Sequence, residues 1–124
     1  MSDTALFVGW GDTHPGREAF AHKHFAEFTE ILEGLEAAGE IESFETVLLD
    51  PHGGDLDGFT LVRAAPEKLV ELWLRDDLNR LAARARLDHA RFRVIWATTG
   101  EGVRAQFALT MDALAEYEHQ TALA

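Results

Sequence analysis

Along the chain the spacing of apolar positions alternates between strand-like runs and helical stripes. Ala5 to Trp10 is a short apolar run closed by a polar turn, the pattern of a buried strand. Asp12-Thr13-His14-Pro15 then predicts a helix start, offering short polar side chains to cap it and a proline suited to its first turn. Phe20, His24, Phe28, Ile31 and Leu35 follow at helical spacing, and Gly39 is placed to end the helix. Ile41 to Asp50 predicts a second strand and Gly58 to Ala64 a third. Pro66 opens a helix carrying Leu69, Val70, Trp73 and Leu74. Asp76-Asp77 restarts that helix after a kink, with Leu78, Leu81, Ala82 and Ala85 on its stripe. Phe92 to Thr98 reads as a fourth strand. A last helix runs from about Glu101 to Glu118, with Val103, Phe107, Met111 and Leu114 as one apolar stripe.

This order, β-α-β-β-α-β with one added helix, is the ferredoxin-like split βαβ arrangement of the α+β class, here expected as a single domain over residues 1–124. Strand faces add a second expectation. Leu6, Val8 and Trp10 alternate with Ala5, Phe7 and Gly9, while Phe92, Val94 and Trp96 alternate with Ile95 and Ala97. Both sides are apolar, yet helices cover only one face of such a sheet. A second copy of the chain is the simplest cover for the other, so a homodimer through the sheet face is expected.

With that order and those two-sided strands, the chain resembles the dimeric α+β barrel superfamily, in which two ferredoxin-like sheets meet face to face. The superfamily includes cofactor-free monooxygenases, lactone isomerases and haem enzymes. The segments ESFETVLLDPHGGDLDGF and TGEG are also similar to a family of small bacterial proteins without an assigned activity. The resemblance implies a small-molecule-binding dimer, of the cofactor-free monooxygenase or isomerase type, or a non-catalytic assembly or protein-interaction module. It transfers no catalytic residue, no cofactor and no metal.

Composition narrows the partners. Lys and Arg total 11 against 22 Asp and Glu, a net charge of −11, which repels nucleic acid and anionic membrane surfaces. The absence of cysteine excludes disulfides, thiol nucleophiles and thiolate metal sites, and fits a cytoplasmic setting. The start MSDTALFVGWGD lacks the basic and apolar regions of a signal peptide. The two serines, Ser2 and Ser43, lie in no nucleophile-elbow context.

Two places are left for chemistry. The fold brings the ends of strands one and two and the starts of three and four to one sheet edge. Asp12, His14, Asp50, His52, Asp55, Asp57 and His89 gather there, with His22 from the first helix. His14, His22 and His52 are the candidates for a shared ligand, although the glycines of LLDPHGGDLDGF are explained by a hairpin connection alone. His24, on an apolar stripe, reads as a core histidine bonded to a neighbour. The second place is the sheet face toward the partner copy. There Trp10, Trp96, Glu45 and Arg63 are candidate lining residues for a small apolar or anionic ligand, and Glu45 is expected opposite Arg63 across the hairpin. Arg84, Arg86, Arg91 and Arg93 form a basic cluster that could receive an anion or balance nearby carboxylates.

Overall fold

The apolar runs become four strands and the stripes four helices. A computed structural model describes residues 2–123, and the side chains of residues 2–121. In chain order these are β1 (Thr4–Trp10), α1 (Glu18–Ala37), β2 (Ser43–Leu48), β3 (Gly58–Arg63), α2 (Pro66–Leu74), α3 (Asp76–Asp88), β4 (Arg93–Thr98) and α4 (Glu101–Leu123). The strands form one antiparallel sheet in the order β2-β3-β1-β4. That is the ferredoxin-like α+β topology predicted from element order. The kink before Asp76 is present: Arg75 adopts an extended conformation between α2 and α3. No described helix is long and apolar enough to cross a membrane.

The core lies between the sheet and helices α1 to α3. Leu6, Val62 and Ala64 meet Leu32, Leu35, Leu69 and Leu72 there, all buried. Thr60 is also fully buried on this side, and its hydroxyl is satisfied by Thr46 across the hairpin at 2.8 Å. The register places Val8 between Thr60 and Val94, and Leu6 between Val62 and Trp96. Trp10 and Trp96 therefore belong to the helix side of the sheet. The opposite face carries Phe7, Phe59, Leu61, Ile95 and Ala97, and among the described residues no helix is packed across it. Phe7 stacks on Phe59 at 4.9 Å. This separates the four residues expected to share the open face: only Glu45 and Arg63 are on it.

Glu45 and Arg63 are not opposite each other. Glu45 pairs with Leu61, and Arg63 with Ser43. The hairpin has slipped by two residues from the expected register, so each side chain keeps its face and the hydrophobic pattern cannot tell the two registers apart. A contact outside the hairpin decides it. The Asp57 amide donates to the Trp10 carbonyl and the Leu49 amide to the Asp57 carbonyl, both at 2.8 Å. These bonds fix where β3 begins.

Helix α1 starts at Glu18, later than Asp12 to Pro15 implied, and its N-cap residue Arg17 makes no side-chain capping bond. Residues 11–14 are occupied elsewhere. The Gly11 amide donates to the Ala90 carbonyl (2.8 Å), the Ala90 amide to the Asp12 carbonyl (2.8 Å), and the His14 amide to the Asp88 carbonyl (2.7 Å). This short ladder ties the entry of α1 to the exit of α3. Its close approach requires glycine: a Cβ on Gly11 would lie 2.7 Å from the Ala90 carbonyl oxygen and 2.8 Å from that of Asp55.

Helix α4 stands apart. Its apolar stripe exists as predicted, but within the chain it is exposed: Val103, Phe107, Met111 and Leu114 all lie open.

Candidate functional site

Two apolar stripes each carry one residue of the wrong polarity. On α1 it is His24, between Phe20 and Phe28; on α3 it is Asp88, two turns after buried Leu81. The ladder between residues 11–14 and 88–90 brings these stripes together. His24 Nδ1 lies 2.5 Å from Asp88 Oδ2, and Arg17 donates to Asp88 Oδ1 from Nε (3.1 Å) and Nη2 (2.8 Å). The Asp88 side chain is 1% exposed, that of His24 14% and that of Arg17 32%. Arg17 is steadied in turn by the Phe20 ring, 4.3 Å from its guanidinium carbon.

The electrostatics follow from burial and partners. Burial alone would push the Asp88 carboxyl up; the hydrogen bonds from His24 and Arg17 outweigh it and hold the group below the usual carboxylate range. An ionised carboxylate only accepts, so His24 Nδ1 carries the proton in this contact. The other ring nitrogen, Nε2, is not engaged by Asp88. A histidine oriented by a buried carboxylate is an arrangement that general bases use.

This pair borders a cavity of about 190 Å³ between the sheet and the helices. Its walls are Val8, Trp10, Phe25, Phe28, Trp73 and Phe92, and its polar lining includes His24, Asp88 and His89. Trp10 meets Phe25 edge-on at 5.7 Å and His89 at 6.2 Å. Burial is the main cause that lowers the His89 pKa, opposed by a backbone hydrogen bond with Gly11 and by the charges of Asp88 and Asp57. His89 is therefore a neutral wall residue at neutral pH, with Nδ1 at 3.4 Å from the Thr13 hydroxyl.

The sheet-edge residues assemble differently from the expectation. His14 and His22 are exposed on the turn and the first helix. His52 is exposed too, and both its nitrogens serve its own turn: Nε2 lies 2.8 Å from the Leu56 carbonyl, and Nδ1 accepts from the Gly54 amide at 3.1 Å. The loop is thus internally stapled, with Gly53 in the left-handed region (φ 83°). Among the described residues, no group of three or more His, Asp or Glu side chains is placed to hold a metal ion. Beside this turn Asp57 faces Asp12; burial, then the hydrogen bond with Asp12 and its charge, push the Asp57 carboxyl up.

Of the second candidate set, Trp10 lines the helix-side cavity, Trp96 stands half-exposed on the edge strand, and Glu45 and Arg63 face away on the open sheet. Arg63 Nε is buried there without a hydrogen-bond partner. The basic cluster is largely neutralised: Arg84 lies near Glu27, and Arg91 and Arg93 near Asp55, at 3.3 to 3.5 Å. Arg86 sits over the Phe92 ring at 5.6 Å. The residues that sequence reasoning passed over are Asp88 and Arg17. Their signal was present, since an aspartate on one apolar stripe and a histidine on another satisfy each other only by meeting.

No protein-family model matches the chain, and no curated protein does. The segments 42–59 and 99–102, which suggested a narrower bacterial family, therefore gain no support from a family model. Solved structures do match. A dimeric ferredoxin-like protein of unknown function from Jannaschia sp. is 10% identical, with a TM-score of 0.59, over 77% of this chain and 99% of that one. A dimeric protein of unknown function and ferredoxin-like fold from Bacteroides fragilis is 11% identical, with a TM-score of 0.53, over 79% and 98%. SnoaB, a cofactor-independent oxygenase from Streptomyces nogalater, is 15% identical, with a TM-score of 0.54, over 80% and 95%. At these identities the shared property is the fold, and this chain is a ferredoxin-like α+β protein similar in architecture to all three.

Proposed function

We propose that the protein is a homodimer that binds a small apolar molecule in the helix-side cavity and uses His24 as a base on it, without a cofactor. The observation that carries this reading is the buried Asp88 carboxylate holding His24 at the wall of an apolar cavity. Cavity size sets the ligand. Engineered apolar cavities of about 150 Å³ take up benzene, so 190 Å³ suits one ring with small substituents. The reaction step is removal of an acidic C–H or O–H proton by His24 Nε2, leaving the electron pair on the ligand as an enolate or phenolate. In an oxygenase the anion's carbon then bonds to dioxygen, and the resulting peroxide takes the proton back from His24. The O–O bond breaks with loss of water to leave a carbonyl. In an isomerase the proton returns at another atom. The likeness in fold to a cofactor-independent oxygenase supports the first course.

The dimer would form through the open sheet face, where Ile95 is exposed and Phe7, Phe59 and Leu61 are only partly buried; two neighbours in fold are dimeric. Lack of cysteine fits a cytoplasmic protein. The alternative, a non-catalytic assembly module, draws on the exposed apolar stripe of α4.

The test uses single-ring ketones and phenols as probes. Binding should quench the fluorescence of Trp10 and Trp73, and in D₂O the protein should speed exchange of a bound ketone's α-proton. His24→Gln should abolish the exchange and keep the quench. No quench by any one-ring probe at millimolar concentration overturns the cavity reading; exchange that persists in His24→Gln overturns the base.

A further inference from the structure

We propose that α4 is an inter-subunit arm, which packs its apolar stripe on a second copy of this chain. The inference rests on the homodimer proposed above and adds to it an element outside the sheet face. Helix α4 spans 23 residues, Glu101–Leu123. Val103, Phe107, Met111 and Leu114 recur at helical spacing on one side, and Phe107, Met111 and Tyr117 are 67%, 61% and 67% exposed. Asp112 and Glu116 fall on the other side of the helix. A helix of this length gains little from propensity alone; most helical stability comes from packing an apolar face. Within its own chain α4 has almost nothing to pack on. The only side-chain hydrogen bond from α4 to the sheet, among the described residues, runs from Gln106 Nε2 to Thr98 Oγ1 at 3.1 Å.

Three observations favour a second copy as the occupant. The first is the root of the arm. The Thr99 amide donates to the Asp3 carbonyl at 2.8 Å, and Gly102 packs so closely on Asp3 that a Cβ would lie 2.8 Å from its side chain. That contact and the Gln106–Thr98 bond set α4 against the start of β1 and the end of β4, at one end of the sheet, from which the helix leaves the body of its own chain. The second is area. Five half-open apolar side chains on α4 offer on the order of 500 Å² per chain, and two arms about 1,000 Å², the lower bound of a specific interface before any sheet face is counted. The third is that the body carries matching uncovered apolar positions away from the open face: Val70, Trp73 and Leu74 on α2 and Trp96 on the edge strand. One chain thus holds both a stripe without a seat and a seat without a stripe, and a two-fold exchange buries each pair twice.

Photo-cross-linking tests the arm in the full chain. Phe107 is replaced by benzoylphenylalanine, an aromatic of similar placement, and the purified protein is irradiated. A covalent product at twice the 13.8 kDa chain mass is expected. In parallel, Phe107→Glu with Leu114→Glu should weaken the dimer by about tenfold or more, while the body of the chain stays folded, because among the described residues the stripe lies largely exposed. A dimer whose irradiation gives only single-chain mass, or whose affinity survives both glutamates, overturns the arm and leaves the sheet-face dimer standing. A monomer at micromolar concentration overturns both.

Discussion

His24 Nδ1 and Asp88 Oδ2 meet at 2.5 Å although 64 residues separate them in sequence. Each is the polar exception on an otherwise apolar stripe, and neither position would be tolerable without the other. Removing the acid leaves a histidine and an arginine facing a hole. Breaking a buried pair by removing one partner costs about 3 to 5 kcal/mol, and the partial exposure of Arg17 places Asp88→Ala near the lower figure. The expected result is a melting point lowered by roughly 10 °C, read by calorimetry. His24→Gln, which retains a polar group at the position, should cost less than half as much.

The same groups set an acid limb of stability. Asp88 is held below its usual range by His24 and Arg17 against the pull of burial, so its contribution is present above about pH 3.8 and lost as pH falls through the lower folded value. His89 is lowered by burial, so the unfolded chain takes up its proton first. Its contribution is therefore present above about pH 6.5 and declines as pH falls below that. Asp57, raised by burial and by Asp12, acts in the opposite sense and favours the fold at low pH. Melts between about pH 7.5 and 5 isolate His89. The wild type should lose stability over that window, and His89→Phe should lose measurably less. Equal slopes would show that His89 does not govern the limb.

Gly11 gives a third expectation, on geometry rather than charge. A Cβ there meets two backbone carbonyl oxygens inside 3 Å, and that of Ala90 cannot move without opening the ladder that joins α1 to α3. Gly11→Ala should destabilise the protein by about 2 kcal/mol. Gly34→Ala, in open space on α1, should be neutral or slightly stabilising. If the cavity and the His24–Asp88 pair depend on the ladder, one-ring probes should also bind more weakly to Gly11→Ala than to Gly34→Ala.

The contrast between these residues shows what the chain discloses on its own. Element order and the two-sided strands were legible, because periodicity in β1, α1 and β4 reports burial directly. The hairpin register was not, since a two-residue slip leaves the faces of Glu45, Val47 and Leu61 unchanged; the Asp57–Trp10 bond that fixes it is a contact between elements distant in sequence. The start of α1 was misplaced for the same reason. Asp12 to Pro15 have capping chemistry, but their backbone is taken by residues 88–90. The site was half legible: the odd histidine on α1 was visible, while its partner at the last residue of α3 looked like ordinary helix-end polarity.

Which face of the sheet would meet a second copy in the proposed dimer can be decided by charge. Phe59 is on the open face, stacked on Phe7 and flanked by Gly9, over which the Phe7 ring lies so closely that a Cβ would come within 2.6 Å. Trp96 is on the helix side, aligned with buried Leu6. An aspartate at position 59 would be buried without a partner in a face-to-face dimer and solvated in a free monomer. Phe59→Asp should therefore give a folded monomer by sedimentation at concentrations where the wild type is a dimer, with the His24–Asp88 cavity intact and one-ring probes still bound. Trp96→Asp should leave sheet-face pairing in place, because its side chain points away from that surface. If Trp96→Asp yields the monomer and Phe59→Asp does not, copies meet through the helix side and the open sheet face has another role.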